Sequence, residues 1–307
     1  MSGAAGAPGA RELRNVADVG FLRSVATKIG ELQLMAFAGA LAYGTVFAIV
    51  PILVLLILLL GIFQAEGLVA RAMDELSLIL PSDATKLIET QLRSVATTTS
   101  TSSFSLGAVA SIGTALWGAS GAMRRLMGAL NVVHRVEETR SLIHKLLTSI
   151  ALALGAILII IVTLVTVVLG GGFAETVFGV IGLGDTAAFI WQWARWPVLL
   201  LLVWLGIALA YRYAPAARQV GGVLTPGTIV ATFGWLLFSA GFSWYVGSIG
   251  DMSATWGAVA GVIVFLLYLQ YASLIVLVGA LVDVELYDRA RPTSRWRRWL
   301  RIPATDP

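Results

Sequence analysis

The sequence predicts an all-α polytopic membrane protein, a bundle of six transmembrane helices, and three observations carry that prediction. Six apolar runs, at about 38–63, 104–123, 146–170, 190–210, 226–247 and 257–282, stand out along the chain. Each is close to the roughly 20 residues that a helix needs to cross ~30 Å of hydrocarbon. Of 307 residues, 58% are hydrophobic and 12% are charged, where an ordinary soluble domain has about 25% charged. Lys and Arg crowd into alternate gaps between the runs. Of the 21, all but Arg71, Lys86, Arg93 and Arg195 fall before the first run or after the second, fourth or sixth. The positive-inside rule turns that asymmetry into an orientation: six crossings, with both termini cytoplasmic.

This divides the chain into a cytoplasmic segment at 1–35, a transmembrane domain at 36–286 and a basic cytoplasmic tail at 287–307, leaving no room for a separate soluble catalytic domain. The net charge of +4 belongs to the cytoplasmic flank, where basic residues meet anionic lipid, so nucleic acid is not an expected partner. There is no cysteine, hence no disulfide framework, thiolate metal site or Cys nucleophile. No short apolar core follows Arg11–Arg23, so the first run is expected to act as its own insertion signal.

Taken in order, Leu13, Val16, Val19, Leu22 and Val25 recur at helical spacing and predict an amphipathic helix along the cytoplasmic surface. Pro51 kinks the first run, because it cannot donate to the carbonyl of Phe47. It is a candidate hinge, and a packing feature is the alternative. In the outer loop, Ser82 or Asp83 caps a helix with Ala84, Leu87, Ile88, Leu92 and Val95 on one face. Gly107, Ser111, Ala115 and Ala119 give the second run a small-residue stripe for close helix contact. Trp191, Trp193 and Trp196 open the fourth run as an interfacial belt. Thr225 and Pro226 form an N-cap and first-turn pair at the fifth. Asp283 and Glu285 end the sixth on the inner side.

The segment 117–140, WGASGAMRRLMGALNVVHRVEETR, is the best candidate for chemistry. If its helix continues past the membrane, Arg124, Asn131, Arg135 and Glu138 share one face. Arg124 and Arg125 with Asn131 then suit phosphate or carboxylate groups, which guanidinium forks bind bidentately. The other reading makes the Arg pair topology anchors and Glu138 a partner of Arg135 or Arg140. Tyr211 and Arg212 end the fourth run on the same side, either joining that group around an inner vestibule or forming an interfacial belt. Tyr43, Tyr268 and Gln270 are the most polar groups inside the runs. His134 and His144 have no further ligand at metal-site spacing, and no P-loop is present. No metal, cofactor or catalytic residue is therefore assigned.

The stretches 40–61, 115–140, YRYAP at 211–215, TPG at 225–227 and the run 238–286 resemble the YihY/BrkB family of bacterial inner-membrane proteins, formerly labelled ribonuclease BN. The resemblance implies six spans and suspected transport with no settled substrate. It matches Arg124, Asn131, Glu138, Arg140, Tyr211, Arg212 and Pro215 as motif positions. Two positions depart from it. Trp256-Gly257 stands where the family has Tyr-Gly, and Gly279-Ala280-Leu281 stands where it often has Gly-Ala-Glu. The expected function is that of a non-enzymatic plasma-membrane transporter for an anionic, lipid-like amphiphile. Anionic lipids are the expected partners, with homo-oligomerisation left open. A membrane ribonuclease and a non-transporting scaffold are the alternatives.

Overall fold

The computed structural model describes residues 19–46, 104–168, 184–216, 224–248 and 252–290. The regular structure among them is all α-helical: α1 Val19–Glu31, α2 Leu34–Val46, α3 Phe104–Val133, α4 Leu142–Val168, α5 Gly184–Tyr213, α6 Pro226–Ser248 and α7 Met252–Ala290. Within them, Leu142–Thr163, Phe189–Tyr213, Pro226–Gly247 and Gly261–Arg289 are long and apolar enough to cross a membrane, and the α1–α2 pair is a possible fifth. The expected count of six is not reached among the described residues. The first run is described only as far as Val46. α3, at 30 residues, is long enough, but Gly, Ser and the Arg pair dilute its apolarity. Pro51, the outer-loop helix at 84–95, the Trp256 side chain, Arg218 and the basic tail beyond Ala290 lie outside the described residues.

α1 is amphipathic as its spacing predicts, and part of its apolar face packs on protein while Leu22 stays exposed. Phe21 and Val25 are buried in a core shared with α7. The Arg289 guanidinium donates to the Gly20 carbonyl at 2.7 Å and lies 5.4 Å above the Phe21 ring. α1 ends where Gln33 enters the left-handed region, at φ 51°, and its N–H donates to the Gly30 carbonyl at 3.0 Å. The chain then re-enters helix at a 62° bend. A C-terminal cap of this kind satisfies an orphan carbonyl while turning the chain, and it usually falls on glycine.

The core is a layer near one end of the bundle. Leu34, Ala38 and Leu41 of α2 meet Met127, Ala129, Leu130 and Val133 of α3, Leu277, Ala280, Leu281 and Leu286 of α7, and Ala214 beyond α5. This is also where Lys28, Arg135, Arg140, Lys145, Arg212 and Arg289 gather along the chain, and it is called the basic end here. Toward the other end, apolar side chains such as Leu154, Leu158, Phe233, Leu237 and Trp244 are exposed. Faces like these are stable only against hydrocarbon, which places them toward lipid. Trp193 and Trp196 are exposed as well, with Arg195 5.3 Å over the Trp196 ring. That arrangement fits an interfacial belt.

α6 and α7 cross unusually closely. A Cβ on Gly227 would stand 2.2 Å from the Gly279 carbonyl oxygen, and one on Gly279 would stand 2.7 Å from that of Gly227. Thr225 caps α6 as expected, its Oγ1 accepting from the Thr228 N–H at 3.2 Å. Asp283 of α7 completes the cap, accepting from the Gly227 N–H and the Thr225 hydroxyl, each at 2.6 Å. A carboxylate there also offsets the positive end of the helix dipole. Farther along the pair, Phe238 stacks on Tyr268 at 5.7 Å, and the Tyr268 hydroxyl bonds to Ser239 at 3.1 Å.

Candidate functional site

The segment 117–140 does not form one continuous helix. α3 stops at Val133 because Arg135 takes a left-handed conformation, φ 53°. The N–H groups of Arg135 and Val136 then bond back to the carbonyls of Val132 and Asn131, both at 3.0 Å. This is the paired bonding that closes a helix C-terminus. Arg135 and Glu138 are therefore not on the face that carries Arg124 and Asn131, contrary to the helical-spacing expectation.

The turn instead folds Glu138 back beneath α3. Asn131 Nδ2 donates to Glu138 Oε2 at 3.1 Å, while Asn131 Oδ1 accepts from the Ala216 N–H at 2.7 Å. The second Glu138 oxygen, Oε1, accepts from the Arg140 N–H at 3.3 Å, and Lys145, not Arg135, is the cation near Oε2, at 3.9 Å. The Arg140 guanidinium reaches the end of α5 and donates to the carbonyls of Tyr213, Ala214 and Pro215. Those are the orphan carbonyls of a helix C-terminus, a position that favours a cation. Asn131, Glu138 and Arg140 thus clasp the α3–α4 connection to the end of α5. Arg140→Ala should lower stability by about 2 kcal/mol through the lost charged hydrogen bonds. Thermal unfolding of the purified protein checks this, and Arg140→Lys should recover only part, since one ammonium cannot span the same fork.

Two further polar clusters form at the basic end. Glu285 is buried at 2% exposure. It is held by Lys28, by the Ser24 hydroxyl at 2.9 Å and by Arg135 at 3.8 Å. Arg135 also reaches Asp288 at 3.7 Å. Tyr211 donates its hydroxyl to the Val276 carbonyl, fixing α5 to α7. Just past α3, burial holds the His134 imidazole below its ordinary pKa, partly offset by its bond to the Leu130 carbonyl at 2.8 Å. Sequence reading did not find the Lys28–Glu285–Arg135 group. Its members come from three distant segments, and each alone looks like a topology charge.

Arg124, Arg125 and Arg212 are different. Among the described residues, none of the three has a carboxylate partner. Arg124 donates to Ser120 at 3.1 Å and lies 5.4 Å over the Trp117 ring. The Arg125 guanidinium packs on α2, where a Cβ on Gly44 would meet its Nη1 at 2.8 Å. Arg212 lies 5.7 Å over Tyr213 on α5, and among the described residues no hydrogen bond or ion pair joins it to the other two. Arg125 precedes Val133 by eight residues, about 12 Å of helix. Between them Met127, Ala129, Leu130 and Val133 are wholly buried. The Arg pair therefore lies across the packed layer from the basic end. A cleft of about 250 Å³ between α2 and α7 lies on the same side of that layer, lined by Gly39, Ala42, Tyr43, Ile263, Leu266, Leu267 and Gln270.

Comparison with known proteins places the chain in a family. Residues 25–299 match the family described as virulence factor BrkB. The chain belongs to the BrkB family. It is similar to the ribonuclease-like protein YfkH of Bacillus subtilis, 29% identical over 211 residues, which cover 69% of this chain and 75% of that protein. It is also similar to the UPF0761 membrane protein Nmul_A0452 of Nitrosospira multiformis, 26% identical over 306 residues. That match covers 96% of this chain but 66% of the relative, so the chain spans just under two thirds of that protein. No solved structure matches the chain. Within this BrkB protein, Leu281 is fully buried in the core. The position at which the sequence resemblance leads one to expect Glu therefore serves packing in this chain, while Asp283 and Glu285 are both held by protein partners.

Proposed function

We propose that this BrkB-family membrane protein is a non-enzymatic transporter, located in the bacterial plasma membrane with both termini cytoplasmic. Its substrate in this reading is an amphiphile with an anionic headgroup. The observation that carries the reading is the pair Arg124 and Arg125, placed about 12 Å inside the end of α3 beyond a fully buried layer, with no carboxylate partner among the described residues. A topology anchor belongs at the membrane surface. A cation held at membrane depth would be costly unless something anionic met it, and a guanidinium is suited to phosphate or carboxylate. An amphiphile fits better than a bare ion, because its tail stays in lipid while only the headgroup needs polar contact.

The name of YfkH raises RNA cleavage as another reading. That chemistry would need a metal or acid–base cluster, and among the described residues no three His, Asp or Glu side chains stand together to hold a metal. Orientation is tested with single cysteines, since the chain has none of its own. Ser141→Cys should label from the cytoplasmic side and Ser248→Cys from outside; the reverse pattern contradicts the orientation. Substrate class is tested by native mass spectrometry of the purified protein. Bound anionic phospholipid should be present in the parent and lost when Arg124 and Arg125 are both replaced by Ala. Retention of the same lipids by that variant would return the pair to a topological role.

A further inference from the structure

We infer that the cleft between α2 and α7 is a binding site for the carbonyl-bearing linkage of an acylated lipid, the ester or amide region between headgroup and chain. This rests on the anionic-amphiphile reading and gives it a second contact point. The walls are apolar, from Gly39 and Ala42 on α2 and Ile263, Leu266 and Leu267 on α7. The polar groups in it are neutral: the Gln270 amide, 3.8 Å from where a Gly39 Cβ would stand, and the Tyr43 hydroxyl.

Neither group has a hydrogen-bond partner among the described residues, although Tyr268, two residues along α7 from the cleft's Leu266, bonds to Ser239. Both groups are accessible from the cleft, Tyr43 at 63% exposure, and an amide on a membrane-spanning helix that met only hydrocarbon would be unfavourable by several kcal/mol. Such a group calls for an occupant with its own neutral acceptor. With no charged side chain among the described residues lining the cleft, a free ion is a poor occupant. A carbonyl linkage fits, because it accepts from the amide and the phenol.

Two continuities select an acylated lipid over a detached polar molecule. The α7 wall runs on into exposed Val262, Ile263, Phe265 and Tyr271, an apolar face along which a chain lies naturally. On α2, the residue after Tyr43 is Gly44, against which the Arg125 guanidinium packs. One ligand would place its anionic group at Arg125, its linkage at Tyr43 and Gln270, and its chain along α7. The absence of a side chain on Gly39 keeps the cleft open, and a large substituent there would fill it.

The test uses the full-length protein in phosphatidylcholine vesicles containing phosphatidylglycerol with a diazirine beside the acyl ester. After irradiation, labels should concentrate on 39–43 and 263–270. They should fall at least fivefold in Gln270→Leu, a near-isosteric change, and in Gly39→Phe, with monodisperse elution confirming each fold. Undiminished labelling in well-folded Gln270→Leu, or labels as dense on exposed Leu154 and Leu158 of α4, would overturn the assignment. A matched phosphatidylcholine probe separates the two readings. Equal labelling of the cleft by both probes contradicts the anionic-headgroup reading alone. Anionic preference with labels elsewhere contradicts the cleft alone.

Discussion

Gly227→Ala should lower stability by about 2–4 kcal/mol, although alanine is the better helix former. The added methyl would stand 2.2 Å from the Gly279 carbonyl oxygen and 2.5 Å from Asp283 Cγ. Neither neighbour is the loose end of a flexible side chain: one is backbone, and the other is the carboxylate that caps α6. Relief requires α6 and α7 to part, which also lengthens the two bonds from Asp283 to Gly227 and Thr225. Overpacking of this kind costs about 1–3 kcal/mol, and the weakened cap adds ~1 kcal/mol. Gly241→Ala is the matched control on the same helix, because a Cβ there meets nothing within 4 Å. It should leave stability unchanged or raise it by up to about 1 kcal/mol. Thermal unfolding of both variants in one detergent checks the contrast, and equal stability of the two would contradict the close crossing.

Replacing Arg124 and Arg125 together by Ala should reduce transport of an anionic lipid by tenfold or more. That corresponds to the ~1.4 kcal/mol by which a single charged hydrogen bond to substrate would typically exceed its replacement by water. The double Lys variant keeps both charges and any topological signal. It should nevertheless remain impaired, since an ammonium cannot reproduce the planar fork. Arg212→Ala should have a smaller effect, as Arg212 stands on a separate helix against Tyr213. Lipid uptake into vesicles at matched protein abundance is the readout. Full activity in the double Lys variant would reassign the pair to orientation of the chain.

Much of the fold was legible because lipid imposes a simple rule. α4, α5, α6 and α7 each contain an unbroken apolar stretch of about the length a bilayer demands, and Thr225-Pro226 announced the start of α6. The end of α3 was not legible. No glycine or proline marks it, and Arg135 adopts a left-handed φ that a bulky side chain seldom takes. Once the helix was assumed to continue, Arg135 and Glu138 fell on the wrong face.

The candidate site was legible in its residue types and not in its division of labour. Asn131, Glu138 and Arg140 read as possible ligand contacts until Ala214 and Ala216, some 74 and 85 residues distant, arrive to be bonded. Lys28 and Glu285 are 257 positions apart, so no local pattern could pair them. Glycine in TPG could be read as a cap feature, while its close approach to Gly279 depends on tertiary packing. Of the sequence candidates, Arg124, Arg125 and Arg212 have no carboxylate partner among the described residues, and the functional reading narrows onto the adjacent pair Arg124 and Arg125.

The most direct measurement reconstitutes the full-length protein into phosphatidylcholine vesicles and follows a fluorescent phosphatidylglycerol between leaflets, beside a phosphatidylcholine analogue and a salt-gradient ion-flux control. The account predicts faster movement of the anionic lipid than of the zwitterionic one, lost on replacing Arg124 and Arg125 by Ala, with no matching salt-driven ion flux. Robust ion flux without lipid movement, or movement indifferent to headgroup charge, would contradict it.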